Sequence, residues 1–208
     1  MRRSAGAANL SLISYRYDAI LHAQEYRETI VRDDIGTLLQ KWRLKGKPTR
    51  EDYLAGARAL EGLRREAPRR GLWLKPPLMI TATLDDGWGH GLDVIEALAA
   101  AVGVVVHRLG VLQRPPAILA ACRAQQADLL GLTVLQFDSD DDLSEITRAL
   151  PPETTLIAGG AAFIYDPEFA VRTGTLHVAR DGVAFLRFLL EFNPIDRDGI
   201  AGGHHDGR

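Results

Sequence analysis

The stretch Leu78-Met79-Ile80-Thr81-Ala82-Thr83-Leu84-Asp85-Asp86-Gly87-Trp88-Gly89-His90-Gly91 decides the fold. Its first six residues, apolar or threonine, read as a strand. A polar, glycine-rich loop follows, and apolar residues at helical spacing begin near Leu92. Strand, loop and helix make the first unit of an open α/β sheet, where ligands bind at the loops leaving the carboxyl ends of strands.

Downstream the unit repeats. The pattern predicts a helix from about Gly91 to Val102, then strand two over Gly103 to Arg108. Pro115-Pro116 open a helix to about Gln126, and strand three covers Asp128 to Thr133. Asp140–Asp142 open a helix that ends before Pro151, and strand four is Thr155 to Ala158. A short helix near Pro167 to Arg172 precedes strand five, Leu176 to Ala179. Asp181 caps a final helix that Pro194 stops. Apolar strands with helical crossovers imply a parallel sheet covered on both faces. Five units predict a doubly wound, flavodoxin-like (Rossmann-like) α/β fold with strand order 2-1-3-4-5.

Upstream the chain reads as helix. Leu10 to Leu44 carries apolar residues at helical spacing, with a break expected near Asp33–Gly36, and Gly46 and Pro48 stop it. Thr49, followed by Glu51 and Asp52, predicts the N-terminus of a further helix with its apolar face at Tyr53, Leu54, Ala57, Leu60 and Leu63. These helices must bury a face against the following domain, a partner or a second copy. The expected organisation is a helical segment over 1–74, an α/β domain over 75–194 and a disordered tail over 195–208. Met1 to Ala8 reads as a short disordered arm without the apolar core of a signal peptide.

Composition narrows the function classes. In 208 residues the net charge is -2, so nothing attracts the chain globally to nucleic acid or to anionic membrane. Arg64, Arg65, Arg69 and Arg70 cluster, but a helix end of this kind is normally solvated. The lone Cys122 excludes an internal disulfide and a cysteine-built metal cluster within one chain, and its apolar run reads as helix core. No apolar run reaches the ~18 residues of a membrane span. The cytoplasm is the expected compartment.

Three loops would border one crevice, because strands one, three and four are neighbours in the expected order. They are Asp86–Gly91, Thr133-Val134-Leu135 and Gly159-Gly160. Glycine lets backbone approach a bulky ligand, Thr133 supplies a hydroxyl and Leu135 an apolar wall.

These residues resemble the cobalamin (vitamin B12)-binding domain of methionine synthase, methylmalonyl-CoA mutase and methyl-carrying corrinoid proteins. That fingerprint is Asp-x-His-x-x-Gly, Ser-x-Leu about forty-one residues on, and Gly-Gly about twenty-six to twenty-eight residues later. Asp86, Gly91, Leu135, Gly159 and Gly160 match, and Thr133 stands for the Ser. Forty-one residues separate Gly91 from Thr133, and twenty-three separate Leu135 from Gly159. The resemblance spans about Leu78 to Phe192 and implies a cobalamin or other corrinoid cofactor. It implies cofactor contacts from Asp86, Trp88, Gly91, Thr133, Leu135, Gly159 and Gly160. The helical segment resembles the cap of the methyl carriers in architecture only.

One departure changes the chemistry. Trp88 occupies the position of the family's cobalt-ligating histidine, and indole offers a metal no lone pair. The cofactor's own base could stay on cobalt, Trp88 could cover the lower face, or the site could have lost the cofactor. His90, two residues on, is the one substitute ligand nearby. His107 reads as structural, and His204 and His205 are given no role. Asp138 and Asp140–Asp142 read as helix-opening acids.

The resemblance therefore implies a cofactor-binding carrier, sensor or partner subunit without its own catalytic residues, working with a methyltransferase, an activating enzyme or a regulator. The competing reading is a cofactor-free, or other tetrapyrrole-binding, interaction protein that keeps the fold. Flavodoxin and receiver readings fail. The first loop lacks a Ser/Thr-rich phosphate cradle, and strand three ends in Thr133 where a receiver needs aspartate.

Overall fold

The computed structural model describes residues 29–66, 71–87 and 89–195. The expected N-terminal arm, the helix from Leu10 to residue 28, Trp88, and the tail with His204 and His205 lie outside the described residues.

Five parallel strands form one sheet in the order β2-β1-β3-β4-β5. They are β1 (Leu78–Thr83), β2 (Val105–Gly110), β3 (Leu129–Thr133), β4 (Thr155–Gly159) and β5 (His177–Val178). The expected order holds because β1 pairs with both β2 and β3, in register from Met79 opposite Leu129 to Thr83 opposite Thr133. Central β3 is buried throughout, as a strand covered on both faces must be. Edge β2 is not. Val105, His107 and Arg108 are exposed, so the expectation of full burial fails at this strand.

Helices α3 (His90–Val102) and α8 (Gly182–Glu191) cover one face. On the other lie α4 (Pro115–Gln125), α5 (Asp140–Ala149) and the short α6 (Ala161–Tyr165) and α7 (Phe169–Thr173). Asp181 caps α8 as expected, accepting a hydrogen bond from the Ala184 N–H at 2.8 Å. β2 starts two residues later than predicted. Gly103, at φ 106°, closes α3 by donating its N–H to Ala99 and Ala100 carbonyls, and this left-handed cap consumes the predicted strand start. The sequence reading missed α6, whose five residues are too few for a periodicity to show.

Two further helices form an outer layer on the α3/α8 face. Helix α1 runs over 29–45 and α2 over Arg50–Glu66. No break occurs at Asp33–Gly36. Ile35 is fully buried and Val31 and Trp42 nearly so, and this packing outweighs the ~1 kcal/mol that glycine costs inside a helix. Helices α1 and α2 meet at Gly56, where a Cβ would stand 2.5 Å from the Trp42 ring. Thr49 and Asp52 form a reciprocal cap: the Asp52 N–H donates to Thr49 Oγ1 at 3.2 Å, and the Thr49 N–H donates to Asp52 Oδ2 at 3.0 Å. Arg50 bonds Asp93 at the start of α3 at 2.7 Å, and Arg64 donates to the Ala100 carbonyl near its end. These two ties lay α2 parallel to α3. Arg32 reaches the Leu190 carbonyl of α8 at 2.6 Å.

Candidate functional site

A cleft of about 370 Å³ opens at the carboxyl ends of β1, β3 and β4, between the starts of α3 and α8. It lies where the strand order reverses, the usual ligand position of such sheets. Its size is at the low end of ligand pockets, about 300–1,000 Å³. Val94, Ile95, Leu132, Leu135, Ile157 and Phe185 make its walls largely apolar. Polar groups come from Thr133, His90, Arg180 and Asp181.

The structure brings together most of the residues expected there. Gly91, Thr133, Leu135, Gly159 and Gly160 all line this cleft. Asp86 is exposed and does not line it; its Oδ1 accepts a hydrogen bond from Gln136 Nε2 at 3.2 Å. Trp88 lies outside the described residues. His90, the first residue of α3, lines the cleft with its side chain 66% exposed and its Nδ1 3.9 Å from Asp93 Oδ2.

The chain's own packing explains the glycines. A Cβ on Gly91 would stand 2.9 Å from Thr133 Cγ2, so α3 starts in contact with the end of β3. A Cβ on Gly159 would sit 2.4 Å from the Ala179 carbonyl oxygen. Gly160 is tighter still: φ is +118° and a Cβ would lie 2.3 Å from the Val134 oxygen. Glycine at these positions shapes the cleft whether or not a ligand enters it.

Sequence reasoning missed Asp85, which stands one residue before the motif position. Asp85 is buried, and its carboxylate accepts hydrogen bonds from the N–H groups of Leu135 at 2.5 Å and Gly87 at 3.3 Å. The signal was an adjacent pair of aspartates of which only one could sit at the motif position.

Beside the cleft, Asp93 at the start of α3 receives Arg50 from α2 and Arg108 from β2, the latter at 3.0 Å. Burial opposes ionisation of Asp93, but hydrogen bonds from the two guanidiniums outweigh it and hold the carboxyl below its usual range. Arg108 also pairs with Glu96 at 3.3 Å, and Glu96 accepts from the buried Thr81 hydroxyl at 2.5 Å. His107 sits on the exposed side of β2, 3.4 Å from Gln125 Nε2. Of the acids opening α5, Asp142 faces Arg114 at 3.4 Å. Among the described residues no three His, Cys, Asp or Glu side chains gather as a metal cage. No helix among them is long and apolar enough to cross a membrane.

No protein-family model matches the sequence. No curated protein matches it either. Solved structures do match in fold. A cobalamin-binding protein from Desulfitobacterium hafniense DCB-2 superposes with a TM-score of 0.67 at 14% identity, over 87% of this chain and 91% of that one. The methanol:cobalamin methyltransferase complex MtaBC from Methanosarcina barkeri gives 0.56 at 18% identity, over 91% of this chain and 73% of the matched chain. At these identities the likeness establishes a shared Rossmann-like fold, a five-stranded parallel sheet with flanking helices.

Proposed function

We propose that this chain binds cobalamin or a related corrinoid at the carboxyl edge of its sheet and serves a partner as carrier, sensor or subunit. The observation that carries the reading is the cleft itself. The residues that resemble the cobalamin-domain fingerprint, Gly91, Thr133-Leu135 and Gly159-Gly160, converge on one apolar opening at the strand-order reversal. The two cobalamin proteins that share the fold support it.

The residues fit a large, partly aromatic ligand. Leu135, Ile157 and Phe185 offer faces for a flat ring, Thr133 supplies a hydroxyl, and the glycines leave room for close backbone approach. The volume suits a nucleotide-sized part of such a ligand, with the remainder outside the cleft. A bound corrinoid would supply a cobalt centre able to accept and donate a methyl group. The chain's own part is to hold and orient it. Asp86, Trp88, Gly91, Thr133, Leu135, Gly159 and Gly160 are the proposed contacts, and Trp88 leaves cobalt without a protein histidine. Residues 1–74 are proposed as the docking or capping segment, 75–194 as the binding domain and 195–208 as a tail. A methyltransferase, activating enzyme or regulator is the proposed partner, met in the cytoplasm.

The test is an absorbance spectrum after incubation with hydroxo- and methylcobalamin and gel filtration. Co-eluting corrinoid without the bands of a cobalt-bound histidine is the expected result. Histidine-ligated bands that disappear in His90→Ala would reassign the ligand to His90. No co-elution would overturn the corrinoid reading and leave a cofactor-free interaction protein, or one for another tetrapyrrole.

A further inference from the structure

We propose that Asp85, and not its neighbour in the fingerprint position, is the positioning residue of the cleft, tying together the loops that follow β1, β2 and β3. The role in ligand binding rests on the corrinoid reading above; the tethering itself does not.

The ties are all to Asp85. Its Oδ2 accepts from the Leu135 N–H at 2.5 Å and, more weakly, from the Gln136 N–H at 3.4 Å. Its Oδ1 accepts from the Gly87 N–H at 3.3 Å. Its carbonyl accepts from the Thr83 hydroxyl at 2.6 Å and from the Leu112 N–H at 3.1 Å. Leu112 belongs to the loop after β2 and holds a φ of 55°, a conformation that a branched residue keeps only when its surroundings enforce it. A single residue, 4% exposed, therefore joins three loops at the carboxyl edge.

The ties set the wall of the cleft. Gly87 and Leu135 both line it, and a Cβ on Gly87 would lie 2.3 Å from Leu135 Cδ1. With both backbone N–H groups on one carboxylate, the loops after β1 and β3 are held against each other where Gly87 and Leu135 line the cleft. A buried carboxylate satisfied by backbone donors is the stronger kind of hydrogen-bond acceptor, and removing the charge leaves those donors facing a poorer partner. Asp86 is exposed and, among the described residues, its carboxylate accepts from the Gln136 side chain and not from the backbone of the loop after β3.

Asp85→Asn tests this, with Thr154→Ala as a destabilised control at the opposite, amino edge of the sheet, where the buried Thr154 hydroxyl donates to the Ala127 carbonyl at 2.8 Å. Amide hydrogen exchange on the ligand-free protein reads the tether. Titration with hydroxocobalamin, followed by absorbance, reads its consequence. Asp85→Asn is expected to speed exchange at Leu135 and Gln136 and to weaken hydroxocobalamin at least about tenfold, or 1.4 kcal/mol. Thr154→Ala is expected to do neither. Unchanged exchange at Leu135 and Gln136 overturns the proposal, as does faster exchange with affinity held within about twofold. If the wild-type chain binds no corrinoid, the proposed function fails while the exchange arm still decides the tether. Should Asp85→Asn fail to fold, Asp85→Ser, which keeps one short acceptor, is compared in its place.

Discussion

On the sheet face that carries α3 and α8, a second pair of helices lies outside the first; on the face that carries α4 and α5, no described residue lies outside them. The first face gathers Ile35, Trp42, Tyr53 and Leu60 from α1 and α2 with Leu98, Val102, Phe185 and Leu189 into one buried cluster. The second is a single-layer cluster built on Ile118, Cys122, Leu143, Ile146 and Phe169. The difference shows that the N-terminal helices are joined to the sheet domain, since their apolar stripe has no other described surface to bury. It also brings them to the cleft without entering it. Tyr53 packs on Gly182, where a Cβ would stand 2.8 Å from the Tyr53 ring, and Gly182 lines the cleft from behind. A ligand that moved the start of α8 would therefore press on α2.

The largest test of that junction is Ile35→Ala. Ile35 is fully buried within the double-layered cluster, and truncation at such a site costs about 2–5 kcal/mol. The expected outcome is one unfolding transition, shifted as a whole, seen alike by far-UV circular dichroism and by tryptophan fluorescence, to which Trp42 of α1 contributes. A separate early transition, with the sheet melting where it did before, would break the comparison and make the outer layer an independent appendage.

A smaller effect is expected at the start of α2. Thr49→Ala removes one side of the reciprocal cap and should cost about 1 kcal/mol. The same cap predicts an acid dependence. The Lys45 ammonium, first, and the Thr49 N–H hold the Asp52 carboxyl down from 3.8 to about 2. A carboxyl depressed in the folded state contributes stability above its unfolded value and loses it as pH falls through the folded one. Stability should therefore drop between about pH 4 and pH 2. Asp52→Asn should flatten that part of the profile, measured by urea denaturation across the range. An unaltered slope would mean that the Asp52 carboxylate adds nothing to the hold on α2 beyond its apolar face and the Arg50 and Arg64 ties.

Much of this was legible in the sequence, and the unread part has a common cause. Strand order, the Thr49 and Asp181 caps and the convergence of Gly91, Thr133, Leu135, Gly159 and Gly160 follow from local chemistry and spacing. Tertiary context decided the rest. Gly36 looked like a helix break because propensity argues against glycine, but Ile35 beside it is anchored in the core. Asp85 and Asp86 are chemically identical in sequence. Which of them turns inward depends on where the loop after β3 arrives, fifty residues later. The glycines were readable as close approach, yet not as approach to the chain's own Thr133, Val134 and Ala179.

The smallest expected effect is at the single-layered face. Cys122 lies there on α4, fully buried, and burial pushes its thiol up to about 11 against the weaker pull of Arg123. The thiolate is the reactive form, so both access and ionisation oppose reaction at about pH 8. A disulfide-exchange reagent should leave the native protein unlabelled and modify one thiol after denaturation. Labelling at a rate set by global unfolding would mean that one helical layer protects this face as fully as two protect the other. Faster labelling, without loss of far-UV signal, would mean that α4 opens locally, and that the extra helices are what make the first face the more rigid. The comparison between the faces would then be one of dynamics as well as depth. The cleft, lined from the starts of α3 and α8 and by no residue of α4 or α5, would then open on the stiffer of the two faces.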